Sequence, residues 1–296
     1  MKRLYYILVT MRPRQWTKNL VLFAGLIFSQ NLANAALVWK SIEAFLIFCA
    51  LSGVIYIIND VVDVEKDKLH EAKRHRPLPA GKLKAADGIA AAVVIGAAAL
   101  LLARMVGASF FLAAVVFFCV NVLYSLVLKR IVLLDVVSIS LSFVIRAISG
   151  VEALVDVDPT LEISPWLLIC TLFLSLFLSF CKRRHELTTL GEASRHREAL
   201  AEYSSVLIDQ LVAITAAGAV LSYSIYTIWP DTVAKFGTTH LVYTIPLVLI
   251  GVMRYLYLVY NKEKGGSPTD MLLSEKFILI DVFLWILLVV AIFHVF

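Results

Sequence analysis

The sequence predicts an all-α, polytopic membrane protein with about nine transmembrane helices. Of its 296 residues, 60% are hydrophobic and only 17% are charged, whereas soluble domains are about 45–50% apolar. The apolar residues form continuous runs close to the ~20 residues that cross a bilayer as a helix, and they lack the alternation of an outer-membrane β-barrel. We therefore expect one integral membrane domain over residues 1–296.

Charged residues, prolines and glycines divide the apolar sequence into nine predicted spans. They lie near residues 19–38, 41–58, 88–106, 109–128, 131–150, 164–181, 208–229, 240–260 and 277–296. The third span contains GIAAAVVIGAAALLLA, and such small residues let helices pack closely in lipid.

The cations predict the orientation. Twenty-two of the 27 lysines and arginines lie in the amino-terminal segment or in the even-numbered loops. By the positive-inside rule these parts face the cytoplasm, so we expect the amino terminus inside and, after nine spans, the carboxyl terminus outside. The first span also resembles a cleavable signal peptide, but its basic lead with RPRQWTKN is long for one, and we expect the span to be retained.

The cysteines and histidines do not form a metal-binding pattern. The four cysteines lie in or beside apolar runs without a CxxC spacing, and the six histidines show no HExxH spacing. The cysteines are therefore expected to be small core residues, and a zinc or haem site is not expected. A metal in this protein should be a hard cation bound by oxygen.

The loop after the second span, IINDVVDVEKDKLHEAKRHRPLPAG, begins with acidic residues. Asn59, Asp63 and Asp67 recur every four residues, with Asp60 beside Asn59. A helix continuing from the span would align their oxygens on one face. Stacked carboxylates repel each other unless a cation binds, and Mg²⁺ takes one or two carboxylates with water and substrate phosphate oxygens. These four side chains are therefore the predicted Mg²⁺ ligands.

Cations follow the acids in the same loop. Lys73, Arg74 and Arg76 precede PLPAG and suit phosphate oxygens that the metal does not reach. The alternative is a solvated acidic helix end that Lys66 and Lys68 balance. The position at a membrane boundary, with acids first and cations second, favours a metal–diphosphate site.

Two other predicted cytoplasmic regions carry polar side chains beyond what orientation requires. Tyr124 lies one turn after Asn121 in an apolar run that ends at Lys129 and Arg130. Polar groups within a membrane usually face a cavity or a partner. The second region contains KRRHE at residues 182–186, where a lipid-headgroup anchor would explain the cations but not the glutamate that follows them.

The pattern N-D-x-x-D-x-x-x-D followed by KRHRPLPAG resembles the UbiA superfamily of intramembrane prenyltransferases, over nearly the whole chain. MRPRQWTKN at 11–19, YSLVLKR at 124–130 and CKRRHEL at 181–187 resemble its polyprenyl-phosphate (decaprenyl-phosphate) phosphoribosyltransferase branch. The resemblance implies a helical bundle with a cytoplasm-facing cavity in a bacterial inner membrane. It also implies Mg²⁺-dependent transfer of 5-phosphoribosyl from 5-phosphoribosyl diphosphate (PRPP) to a membrane-embedded polyprenyl phosphate, for cell wall biogenesis.

The resemblance also implies roles for individual side chains. Asp60, Asp63, Tyr124 and Lys129 are expected to act in catalysis. The phosphates of the donor are expected to be bound by eight cationic side chains, Arg14, Lys18, Lys73, Arg74, Arg76, Arg146, Arg183 and Arg184. Family members that prenylate aromatic rings have a second aspartate-rich motif where this chain has KRRHELTTLGEASRHRE, and the extra cations suit a donor with a 5-phosphate. Glu71 departs from the branch, in which a proline is expected.

Two other functions compete with this interpretation. The same fold can move a polyprenyl group from its diphosphate to an aromatic acceptor such as 4-hydroxybenzoate. A transporter with Asp135 and Arg146 along its path is the other, but the sequence lacks the inverted repeats that would support it. Nucleic-acid binding is not expected, because the cytoplasmic loops account for the net charge of +5. The sequence leaves the oligomeric state open, and a homo-oligomer is compatible with it.

Overall fold

The computed structural model describes residues 2–29, 31–69, 73–189, 198–262 and 265–295. The regular elements in these ranges are helices, and eight of them are long and apolar enough to cross a bilayer. The predicted all-α, multi-pass membrane fold is confirmed, with eight candidate spans in the described ranges where nine were predicted. The orientation in the membrane stays a prediction, and Glu71 lies outside the described residues.

The helices form two compact units, of which the first is Met1–Ile163. Its α-helices are α1 (Lys2–Thr10), α2 (Ala24–Phe28), α3 (Ala35–Val62), α4 (Val64–Leu69), α5 (Ala85–Val106), α6 (Ala108–Leu126) and α7 (Leu134–Glu152). Two 3₁₀ helices, Pro13–Phe23 and Leu128–Arg130, complete the unit. Helix α3 is central, because α5, α6, α7 and the first 3₁₀ helix all pack against it. Phe48 of α3 anchors this core between Phe110 and Phe117 of α6.

The second unit is Ser164–Phe296. Its α-helices are α8 (Pro165–Thr189), α9 (Glu198–Ala201), α10 (Ser205–Ile228), α11 (Pro230–Phe236), α12 (Ile245–Asn261), α13 (Pro268–Ser274) and α14 (Lys276–Val295). Helix α8 packs along α10, and α12 packs along α14. Trp285 of α14 donates to the Tyr223 hydroxyl of α10 at 2.8 Å. The prediction of a single domain over the whole chain stays a prediction.

The first predicted span, near 19–38, is wrong as a single long α-helix. The 3₁₀ helix Pro13–Phe23 runs into the short helix α2, and α3 already begins at Ala35. A hydropathy pattern cannot distinguish these conformations, because it reports only which residues are apolar. The conformation is also unusual, because runs of 3₁₀ helix longer than 3–4 residues are uncommon.

The segment made of the 3₁₀ helix Pro13–Phe23 and α2 nevertheless runs antiparallel to α3. Asn19 donates to the Cys49 sulfur at 3.4 Å near the middle of α3, and Leu26 packs against Leu37 near its start. At about 2.0 Å per residue for the 3₁₀ helix and 1.5 Å for α2, the segment extends about 30 Å. That length equals the hydrocarbon thickness of a bilayer, so the segment is long enough for a ninth crossing.

Gly150 of α7 allows the 3₁₀ helix to lie directly against α7. A Cβ atom at this position would lie 2.0 Å from the carbonyl oxygen of Leu22, an overlap that only a backbone shift relieves. We expect Gly150→Ala to lower the free energy of unfolding by about 1–3 kcal/mol or more, measured as a lower thermal midpoint in detergent. Gly96→Ala in α5 is the control, because its nearest atom is 3.6 Å away in Val54. Equal midpoints for the two variants would contradict the close approach.

Candidate active site

The acidic residues lie where α3 ends and α4 begins. The predicted uninterrupted helix through them is wrong, because α3 ends at Val62 and Asp63 leaves the helical conformation with φ −97° and ψ 7°. The backbone hydrogen bonds continue across this break, from Asp63 N to Asn59 O at 3.0 Å and from Asp67 N to Asp63 O at 2.8 Å. The helical hydrogen-bonding pattern therefore continues across the interruption, and the alignment of the oxygen side chains on one face stays a prediction.

Asp60 and Asp67 share one cation. Both side chains are buried, with 1% and 3% of their surface exposed. Nη1 of Arg76 donates to Asp60 Oδ1 at 3.2 Å and to Asp67 Oδ2 at 2.8 Å, and Lys73 Nζ lies 3.5 Å from Asp67 Oδ1. Two carboxylates thus accept hydrogen bonds from one cationic nitrogen. The position of that nitrogen therefore favours positive charge.

Lys129 connects the other two members of the column. Its Nζ donates to both carboxylate oxygens of Asp63 at 2.6 and 2.7 Å and lies 3.3 Å from Asn59 Oδ1. The short 3₁₀ helix that follows α6 carries Lys129 into this position. The structure therefore brings Lys129 to the acids, and its catalytic role stays a prediction.

Arg12, which the sequence analysis did not single out, also contacts the acids. Its guanidinium pairs with Asp60 and lies 4.8 Å from the centre of the Tyr56 ring. The backbone of Arg12 has a φ of 53°, in the left-handed region that non-glycine residues rarely adopt, and it starts the 3₁₀ helix just before Pro13. The motif MRPRQWTKN contains Arg12 among its cations. Which of these cations reaches the acids depends on the unusual backbone conformation.

Four other predicted site residues differ in how far they are exposed. Arg14 and Arg74 are exposed, and Arg74 Nε lies 3.4 Å from His75 Nε2. Lys18 and Tyr124 are half-buried. Their roles in donor binding and catalysis stay predictions.

Arg146 is buried in α7 among neutral partners. Its Nε donates to Asn19 Oδ1 at 2.8 Å, and its Nη1 donates to Ser142 Oγ at 2.8 Å. The guanidinium also lies 4.6 and 5.1 Å from the ring centres of Phe117 and Phe143. Within the described part of the chain, no carboxylate pairs with it. Arg146 thus links α7 to the 3₁₀ helix, and its predicted role at the donor stays a prediction.

Arg183 and Arg184, in the second unit, are each paired with a carboxylate of that unit. Arg183 is 2% exposed, and its Nη1 lies 2.6 Å from Glu186 Oε2. Arg184 Nε lies 2.8 Å from Asp209 Oδ1, and its guanidinium lies 3.7 Å from the centre of the Tyr260 ring. Their predicted role in binding the donor stays a prediction.

The acids suit a magnesium ion that receives further ligands from a substrate. Among the residues that the structure describes, no group of three His, Cys, Asp or Glu side chains forms a closed metal site. Mg²⁺ does not need one, because it is commonly held by one or two carboxylates, waters and substrate phosphates. Asp60 with Asp67, and Asp63 with Asn59, each supply such a pair of oxygen ligands.

The comparisons with known proteins identify the family. The model of the UbiA prenyltransferase family matches residues 19–287. The chain belongs to this family. The decaprenyl-phosphate phosphoribosyltransferase of Mycobacterium tuberculosis is 29% identical to this UbiA-family chain, over 95% of this chain and 91% of the relative. The enzyme of the same name from Mycolicibacterium smegmatis is also 29% identical, over 95% and 90% of the two chains.

The structural comparison gives the same fold. A UbiA homolog from Archaeoglobus fulgidus, solved bound to GPP and Mg²⁺, has a TM-score of 0.73 to this chain and covers 98% of it, with 100% of the homolog matched. The sequence identity of 17% means that this match shows the fold alone. The predicted family and fold class are thus confirmed, and the protein is a UbiA-family transferase.

Proposed function

We propose that this protein transfers the 5-phosphoribosyl group of PRPP to a polyprenyl phosphate and releases diphosphate. The observation that carries the proposal is the pairing of oxygen ligands with cations at the end of α3, where Asp60, Asp63 and Asp67 contact basic side chains. A magnesium-bound diphosphate needs both kinds of group. The names of the mycobacterial relatives support phosphoribosyl as the transferred group and a polyprenyl phosphate as the acceptor.

The reaction breaks the bond between ribose C1 and the diphosphate oxygen and forms a bond between C1 and an oxygen of the acceptor phosphate. Positive charge grows on the ribose ring while negative charge grows on the diphosphate. Arg76 and Lys129 would donate hydrogen bonds to the departing diphosphate and so stabilise the transition state electrostatically. Mg²⁺ held by one of the two pairs of oxygen ligands, Asp60 with Asp67 or Asp63 with Asn59, would neutralise part of the same charge.

The proposed reaction needs no general base. The acceptor phosphate is already an anion and can attack C1 without losing a proton, so a base-activated nucleophile is not required. The cations and oxygen ligands at the end of α3 therefore supply the groups on which the proposal depends.

A second candidate function is transfer of a polyprenyl group from its diphosphate to an aromatic acceptor such as 4-hydroxybenzoate. The observation that favours it is the fold shared with a homolog whose structure contains GPP and Mg²⁺. Both donors carry a diphosphate, so the acids and cations of the first unit do not distinguish them. The two functions have to be separated by comparing donors directly.

We expect the purified protein to transfer label from PRPP to a polyprenyl phosphate in the presence of Mg²⁺, and EDTA to abolish the transfer because the acids then lack their metal. Extraction of the labelled product into the lipid phase measures the reaction. A parallel reaction contains polyprenyl diphosphate and 4-hydroxybenzoate. Transfer in the parallel reaction alone would replace the first function by the second, and no transfer in either, with several lipid lengths, would contradict both.

A further inference from the structure

A buried polar network joins three helices of the first unit at a distance from the acids. At its centre is Asn19 of the 3₁₀ helix Pro13–Phe23, whose surface is 0% exposed. Asn19 Oδ1 accepts hydrogen bonds from Arg146 Nε at 2.8 Å and from Ser52 Oγ at 3.3 Å. Asn19 Nδ2 donates to Cys49 Sγ at 3.4 Å. Both ends of this amide are therefore bound, by side chains of α3 and α7.

Arg146 belongs to this network and has neutral hydrogen-bond partners, Asn19 and Ser142. It is 6% exposed in α7, a helix long and apolar enough to cross a bilayer. A cation in such a place is costly and marks a functional residue. Through Asn19 it lies at the level of Cys49, eleven residues before Asp60 in α3 and about 16 Å from it along the helix. Any effect of Arg146 on the acids therefore has to pass through other side chains.

We propose that Arg146 is a positioning residue, which acts through Asn19 to fix the register of the 3₁₀ helix Pro13–Phe23 against α3 and α7. This helix begins directly after Arg12, whose guanidinium pairs with Asp60, so its register decides whether that cation reaches the acids. A buried asparagine fixes the register of packed helices in coiled coils in the same way. The inference rests on the proposed function for the reaction that a displaced helix would slow.

The contacts between α7 and the 3₁₀ helix fit one register. Arg146 bonds to Asn19, and four residues further along α7, Gly150 lies against the carbonyl of Leu22, three residues after Asn19. Four residues of an α-helix and three residues of a 3₁₀ helix both rise about 6 Å. The polar contact and the close backbone contact can therefore form together only while the segment stays in the 3₁₀ conformation.

The 3₁₀ conformation needs such external contacts, because its own hydrogen bonds have poorer geometry than those of an α-helix. Arg12 precedes Asn19 by seven residues. As an α-helix this stretch would be about 3.5 Å shorter. The hydrogen bond of Arg12 to Asp60 would not survive a displacement of that size. Loss of the bond between Arg146 and Asn19 should therefore be felt at the acids.

Hydrogen exchange followed by mass spectrometry on the full chain in detergent tests the register. We expect residues 14–23 to exchange at least about 10-fold faster in Arg146→Lys, because a lysine lacks the rigid fork that reaches Asn19 and Ser142 together. Asn19→Leu should have the same effect. Asn19→Asp keeps the oxygens that accept from Arg146 and Ser52, so it should exchange like the wild type. Unchanged exchange in both Arg146→Lys and Asn19→Leu would overturn the inference, and Ser142→Ala replaces Arg146→Lys if that variant is unfolded.

A double-mutant cycle of transfer rates separates positioning from a general loss of structure. We expect Arg146→Lys and Asn19→Leu each to lower kcat/KM for PRPP at least about 10-fold, since small misplacements remote from the chemistry are costly. The double variant should lose no more than the worse single variant. Arg254→Lys is the control, because Arg254 pairs with Glu275 in the second unit, and its effect should multiply with that of Asn19→Leu.

The outcomes of the two experiments are distinguishable. Losses of Arg146→Lys and Asn19→Leu that multiply would assign Arg146 a role independent of Asn19 and overturn the inference. Absence of transfer by the wild type would contradict the proposed function alone, and the exchange of residues 14–23 would then decide the positioning role.

Discussion

Replacement of Asp63 by asparagine is expected to reduce phosphoribosyl transfer at least about 100-fold, the usual cost of removing one preorganised electrostatic group from a reaction site. Asparagine keeps the shape of the side chain but removes the charge that pairs with Lys129 and that would bind Mg²⁺. The fold should survive, because Asp63 is 18% exposed and Lys129 keeps Asn59 Oδ1 as an acceptor. The loss therefore reports on the site and not on stability.

The measurement is the initial rate of transfer over a range of Mg²⁺ concentrations, with the thermal midpoint of each variant. We expect Asp63→Asn to require more Mg²⁺ and to remain slow at saturation. Glu65→Gln is the matched control, because Glu65 lies between Asp63 and Asp67 in the sequence but is 78% exposed and pairs with Lys68. A wild-type rate for Asp63→Asn would exclude this carboxylate from the reaction, and an equal loss in Glu65→Gln would assign the effect to the charge of the loop.

The sequence predicts most of the long apolar helices because hydropathy is a local pattern. Hydropathy alone identifies helices such as α3 and α5, and the four-residue spacing from Asn59 to Asp67 survives the break at Asp63 because the i to i−4 hydrogen bonds continue through it. The 3₁₀ helix Pro13–Phe23 is different. Its path depends on Gly150, more than a hundred residues further along the chain, which permits the close approach to Leu22.

The pairing of the charges could not be predicted from the sequence. The loops contain more cations than the acids need, and cytoplasmic orientation explains each of them equally well. Lys129 meets Asp63 only because the end of α6 packs beside the end of α3. Arg12 meets Asp60 through a left-handed backbone, whereas the neighbouring Arg14 is exposed. Tertiary packing therefore selects the cations that pair with the acids from a larger set that orientation also requires.

Replacement of Arg184 by glutamine is expected to lower kcat/KM for PRPP at least about 30-fold, the equivalent of about 2 kcal/mol for a lost charge-assisted hydrogen bond to phosphate. The sequence predicts Arg184 as a ligand of the donor because this chain has KRRHE where aromatic prenyltransferases of the family have aspartates. A polyprenyl diphosphate lacks the 5-phosphate of PRPP, so the same substitution should matter much less for a prenyl donor. The ratio of kcat/KM for the two donors is thus the decisive measurement.

The ion pair of Arg184 with Asp209 offers a way to separate donor binding from structure. Arg184→Gln leaves Asp209 without its guanidinium, although the Tyr260 hydroxyl still donates to the carboxylate at 2.9 Å. Combining Arg184→Gln with Asp209→Asn removes both charges, so a purely structural role predicts recovery of activity in the double variant. We expect no recovery, because the donor still lacks the cation. Lys182→Gln, which removes a charge from the same segment, should cause a smaller loss, and recovery in the double variant would remove Arg184 from the residues that bind the donor.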